Sequence, residues 1–135
     1  MVSNIVQSHL QSVSGPIVWG VDDCCALIHR ICWQTHKIRL MAPVRDYFTR
    51  RQAALRLREY AGGGVLEAAQ RRAEELGLNR ARPPYNAAVG VVAGEEGPLL
   101  ALYHNDKWIA RTPDGVAALP KWAAVIAWEL PECLG

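Results

Sequence analysis

The chain reads as an α+β domain, with three to four N-terminal helices packed on a C-terminal antiparallel sheet of four to five strands. Three observations predict this. The first 80 or so residues carry apolar positions at helical spacing, closed by glycines and prolines. From Asn86 onward the apolar runs shorten and alternate with turn sequences. No repeat, low-complexity stretch or linker divides the 135 residues, so a single domain over 1–135 is expected, long enough to bury a core.

Residues Ser3 to Val13 place Ile5, Val6, Leu10 and Val13 on one helical face, and Gly15-Pro16 ends that segment. A short extended piece, Ile17 to Trp19, leads into a second helix from about Cys24 to Lys37. Apolar residues on most of its sides predict a helix buried in the middle of the domain. Leu40 to Phe48, with Pro43, reads as a loop. Thr49 can cap a third helix running to Tyr60, stopped by Gly62-Gly63-Gly64. A fourth from about Val65 to Leu76 ends at Gly77, with Leu66, Ala69, Ala73 and Leu76 as its apolar stripe. Strands are predicted over Ala87–Ala93, Leu99–Tyr103, Lys107–Arg111, Gly115–Leu119 and Val125–Leu130.

Half the residues are apolar, 21% are charged and the formal charge is +2. This composition fits a soluble globular protein, and the balance is too weakly basic to point to nucleic acid. No apolar run reaches the roughly 18 to 20 residues needed to cross a bilayer, and no signal peptide pattern opens the chain. Synthesis and residence in a cytoplasm are expected. The four cysteines, Cys24, Cys25, Cys32 and Cys133, are placed too unevenly for a disulfide scaffold and read as reduced thiols.

The stretch with most chemical content is Trp19 to Ile31, WGVDDCCALIHRI. Asp22 or Asp23 can cap the helix, which puts Cys24 at its start. Unpaired N–H groups and the positive end of the macrodipole favour thiolate there, as in many nucleophilic cysteines. The plainer alternative is a pair of small buried hydrophobes. A nucleophile also needs a base, and among His9, His29, His36 and His104 only His104 lies in the sheet half of the chain.

Trp19-Gly20-Val21-Asp22-Asp23-Cys24, the Asp46-Tyr47-Phe48-Thr49 link, two helices around a Gly-rich turn and the compact sheet together resemble the NlpC-like, papain-fold cysteine peptidase superfamily. The likeness is greatest to its small phage and prophage members encoded among tail genes. In active members the cysteine at the helix start is the nucleophile, a histidine opens the second strand, and a polar residue on the third strand orients it. The resemblance makes Cys24 the candidate nucleophile and Asp23 the motif residue before it. The histidine position falls at Leu99 or Leu100, the Gly-Asp that commonly begins the first strand is replaced by Ala87-Ala88, and the third-strand run from Lys107 to Arg111 offers no orienting amide or imidazole. His104 would stand about 17 Å from Leu99, at the other end of its strand.

The resemblance thus implies a phage tail protein, at the tip or hub or in its assembly, built on an NlpC-like fold whose hydrolysis is lost. Its implied partners are other tail proteins, and its implied location is the virion after assembly in the host cytoplasm. The alternative is an active cysteine hydrolase cutting peptidoglycan during phage entry, with Cys24 as nucleophile and His104 as base. A regulatory binding domain unrelated to virions is a third reading. No cofactor is expected.

Other clusters carry less. Cys25, His29, Cys32 and His36 share one stripe of the second helix, but they extend about 16 Å along it, too far to wrap one tetrahedral ion. The arginines at 45, 50, 51, 56, 58, 71, 72, 80 and 82 are interleaved with Glu59, Glu67, Glu74 and Glu75 and read as a solvated face. Trp19 and Trp128 read as packed residues, whereas Trp108 and Trp122 lie near turns, at an interface or a partly buried edge. The apolar stretch from Val116 to Ala127 exceeds what an edge strand needs, so a partner subunit is expected to cover part of it.

Overall fold

The computed structural model describes residues 2–131. Four helices precede a five-stranded antiparallel sheet: α1 (Val2–Ser12), α2 (Cys24–His36), α3 (Arg50–Ala61), α4 (Val65–Leu76), β1 (Ala88–Gly94), β2 (Gly97–His104), β3 (Lys107–Thr112), β4 (Gly115–Leu119) and β5 (Ala124–Glu129), with a 3₁₀ turn over Lys121–Ala123. The strand order is β4-β3-β2-β1-β5. Each strand from β1 to β3 therefore pairs with the next, and β5 returns to the far side of β1.

Capping fixes the helix starts. Asp23 caps α2 through Ala26 N and Thr49 caps α3 through Gln52 N, while Gly62 and Gly77 close α3 and α4 in the left-handed conformation that glycine adopts without strain. Lys37 also ends α2 left-handed, its N–H turned to the carbonyls of Cys32 and Trp33. The expected extended piece at Ile17–Trp19 pairs with no strand. Instead Val21 N and Asp22 N both bond back to Val18 O at 3.0 Å, coiling the chain into the turn that precedes α2.

The helices cover one sheet face. Leu27, Ile28, Ile31 and Cys32 of α2 pack with Ala68, Ala69 and Ala73 of α4 against Val89, Val91, Leu100, Leu102 and Trp128 of the sheet. Leu40, Met41, Val44 and Tyr47 belong to the same core, so the predicted loop is an inner wall of the domain. Arg30, Trp33 and Gln34 are exposed, so α2 presents an outer face to solvent and is not enveloped as its composition suggested. Alternate strand residues (Ala88, Val92, Ala101, Trp108, Ala110 and Ala127) form a second cluster on the opposite sheet face. Trp108 is fully buried there between Tyr85 and Tyr103, its Nε1 donating to Lys121 O at 3.1 Å. This corrects the placement of Trp108 at an edge or interface: the residues after the turn fold over it. Trp122 is 81% exposed, as are 62% of Val125 and 37% of Val116.

The ladder between β2 and β3 bears most on the site. It holds three pairs, from Leu102↔Ile109 to His104↔Lys107, whereas β1 and β2 pair along seven residues. The first half of β2 and the second half of β3 are not paired with each other, and the start of α2 sits over the place where they part.

Candidate functional site

Asp23 organises the start of α2. It is 3% exposed, and its carboxylate accepts from Gly20 N at 2.7 Å, Ala26 N at 3.2 Å and the Tyr47 hydroxyl at 2.9 and 3.1 Å. Four donor contacts replace the water that a buried carboxylate gives up. Burial, followed by the charge of Asp23, raises the Tyr47 hydroxyl well above the ordinary tyrosine range, so Tyr47 stays a donor. Gly20 is required in this turn. Its φ is +85°, and a Cβ there would run into the carbonyl oxygen of Tyr47. Asp22 accepts from Val18 N at 2.8 Å and lies 3.7 Å from the guanidinium of Arg111.

Cys24 is half-buried at the first turn of α2, and its sulfur lies 4.0 Å from that of Cys25. The hydrogen bond from Cys25 lowers the Cys24 pKa. Burial opposes this, the backbone amide of Leu100 adds to it, Asp23 opposes it, and the Cys25 amide adds to it. Donation to Cys24, together with burial, raises Cys25 well above the ordinary thiol range. Cys32 is held in apolar core and pushed up to about 12 by burial. The three thiols therefore differ in kind, with Cys24 alone favoured as thiolate. Cys133 lies outside the described residues.

A groove of about 960 Å³ opens beside Cys24. Trp19, Tyr47, Ala53 and Leu57 contribute to one side of it, and Pro98, Leu99, Arg111 and Thr112 to the other. Arg111 is 1% exposed. Its Nη2 donates to Gly15 O at 2.9 Å and its Nη1 to Thr112 O at 2.8 Å, while Nε meets no acceptor among the described residues. It ties the loop before α2 to the end of β3. No histidine lines the groove.

Each histidine is held elsewhere. His9 Nε2 lies 2.8 Å from Gln34 Oε1, His29 Nδ1 accepts from Met41 N at 2.9 Å, and His36 Nδ1 lies 2.7 Å from Thr35 Oγ1. His104 stands at the last position of β2 with its Nε2 3.4 Å from Gln7 of α1, at the opposite end of that strand from Leu99. The structure thus brings Cys24 and Asp23 together and leaves His104 apart from them. Of the two positions where the resemblance expects a histidine, Leu100 is 1% exposed and packs in the core, while Leu99 lines the groove. No group of three or more His, Cys, Asp or Glu side chains gathers as a metal site among the described residues. No helix of the described residues is long and apolar enough to cross a membrane.

A model of one protein family, described as a domain of unknown function (DUF6950), matches residues 4–130, a span that takes in every strand and nearly all of α1. The chain belongs to the DUF6950 family. No curated protein matches it. In this DUF6950 chain the matched span holds the whole Cys24 groove, including the two residues that the sequence motifs do not single out, Tyr47 and Arg111. Tyr47 stands inside the Asp-Tyr-Phe-Thr link that enters the resemblance, but nothing local says that its hydroxyl reaches Asp23. Arg111 is a lone guanidinium closing an apolar strand, the one signal that marks it.

Proposed function

We propose that this DUF6950 chain is a phage tail component, acting at the tail tip or in its assembly, built on an NlpC-like domain that no longer hydrolyses amides. The observation that carries the loss of hydrolysis is the absence of any imidazole from the groove of Cys24, with leucine and a buried, already engaged arginine opposite the thiol. A thiolate can add to a carbonyl, but expelling an amine requires a proton delivered to it, and among the described residues no imidazole is placed in the groove for that task. The tail assignment is supported by the resemblance of the WGxxDC stretch and the order of elements to tail-encoded members of that superfamily. The partners are hub or tip proteins of the tail. The test is to purify particles from cells carrying a tagged copy of the chain. Retention with tail proteins in a fixed ratio is expected, and recovery only as free monomer would overturn the reading.

One observation favours a second reading. Cys24 sits at a capped helix start, with its pKa lowered, beside an open groove, which suits a cysteine hydrolase acting on peptidoglycan. That reading requires Cys24-dependent turnover of cell-wall peptides.

A further inference from the structure

The groove has a chemical polarity that Cys24 does not explain. Its interior is apolar, with Ile17, Trp19, Leu57, Val65 and Leu99 among its lining. Its rim on the sheet side is acidic. Glu95 and Glu96 in the β1–β2 turn and Asp114 in the β3–β4 turn all line it, because both turns lie at the same end of the sheet. All three are exposed, and none has a salt bridge or side-chain hydrogen bond among the described residues. The cations of the groove do not neutralise them: Arg111 is buried against Asp22, and Arg50 stands on the opposite, α3 side. Three like charges around an apolar hollow repel one another until a cation arrives. The hollow also runs to the place where β2 and β3 stop pairing, which leaves strand backbone along its wall.

We propose that this groove is a docking site for an extended segment of a partner protein, with apolar side chains entering the hollow and lysines or arginines against Glu95, Glu96 and Asp114. The inference rests on reading the groove as a binding surface and not as a working active site, which the turnover of cell-wall peptides tests separately. In a chain of net charge +2, an acidic rim whose carboxylates have no salt bridge among the described residues favours a basic segment over an acidic one at this groove. Exposed carboxylates set the rate of encounter and its salt dependence, while the apolar contacts supply most of the affinity.

The test uses the full chain and two acetylated ten-residue peptides, one alternating lysine with leucine or valine and one with glutamate in place of lysine. Binding is followed by calorimetry and located by backbone amide chemical shifts. The lysine peptide is expected to shift the amides of the two turns and of α3. In the triple variant Glu95→Lys, Glu96→Lys, Asp114→Lys its affinity falls about tenfold or more, and the glutamate peptide becomes the better ligand. A control of equal charge change away from the groove, Glu59→Lys, Glu74→Lys, Glu129→Lys, leaves the preference for lysine intact. Ala54→Trp, which fills the groove from α3, weakens the lysine peptide without altering the turns. The proposal is overturned if the lysine peptide fails to bind at millimolar concentration, if the two triple variants behave alike, or if the shifts fall outside the groove.

Discussion

Cys24, Cys25 and Cys32 lie within nine residues of each other, yet their surroundings separate their chemistry. Since the thiolate is the reactive form, the hydrogen bond that lowers the Cys24 pKa moves its reaction with iodoacetamide to lower pH than an ordinary thiol shows. Mass-spectrometric mapping of native protein near pH 7 is expected to find Cys24 alkylated before Cys25, and Cys32 untouched. Cys25→Ala removes the donor, so the alkylation midpoint of Cys24 moves to higher pH. An unchanged midpoint would show that Cys25 does not hold the thiolate. Asp23 and Tyr47 give a second, structural prediction. Tyr47→Phe leaves the buried carboxylate with its two backbone donors only, at a cost of about 1 to 2 kcal/mol in urea unfolding. The sequence made Asp23 and Cys24 legible because a cap and the residue after it are local features. Tyr47 and Arg111 were not legible, because their roles depend on contacts 24 and 96 residues away in the chain.

The strands and helices tell a similar story. α4 and β4 have the ends expected of them because glycines, a proline-aspartate turn and an unbroken stripe mark them in place. The parting of β2 from β3 could not be read from sequence, since β2 is apolar from Pro98 to Tyr103 and β3 from Trp108 to Ala110, with nothing local to mark where the ladder ends. The sheet face away from the helices was hidden for the same reason. Trp108 reads as a turn neighbour, yet it is a core residue enclosed by Tyr85, Tyr103 and the 3₁₀ turn. Gly90 makes room for it: a Cβ there would stand 2.7 Å from Ile126 O and 3.0 Å from the Trp108 ring. Gly90→Ala is therefore expected to destabilise the sheet by about 1 to 3 kcal/mol, read as a lowered melting temperature with helix content retained. Arg111→Ala removes the tie between β3 and the loop before α2 and leaves Asp22 without its cation. A loss of about 3 kcal/mol is expected from unfolding curves.

The domain as a unit separates what this α+β layout needs in order to stand from what amide hydrolysis would need. The capped helix start, the sheet under it and the groove between them depend on Asp23, Tyr47, Gly20 and Arg111, all of which are present and engaged. Proton transfer depends on an imidazole, and all four of the chain's histidines are fixed to other partners. Such a domain is suited to present surfaces, among them the acidic groove and the exposed Trp122 of the 3₁₀ turn with Val125 of β5. The most direct measurement is the release of products from purified peptidoglycan and from its cross-linked peptides, comparing the native chain with Cys24→Ala across pH 5 to 9. The same background release is expected from both proteins at every pH. Release that the native chain supports and Cys24→Ala abolishes, with both proteins equally folded, would contradict it and make the groove an active site.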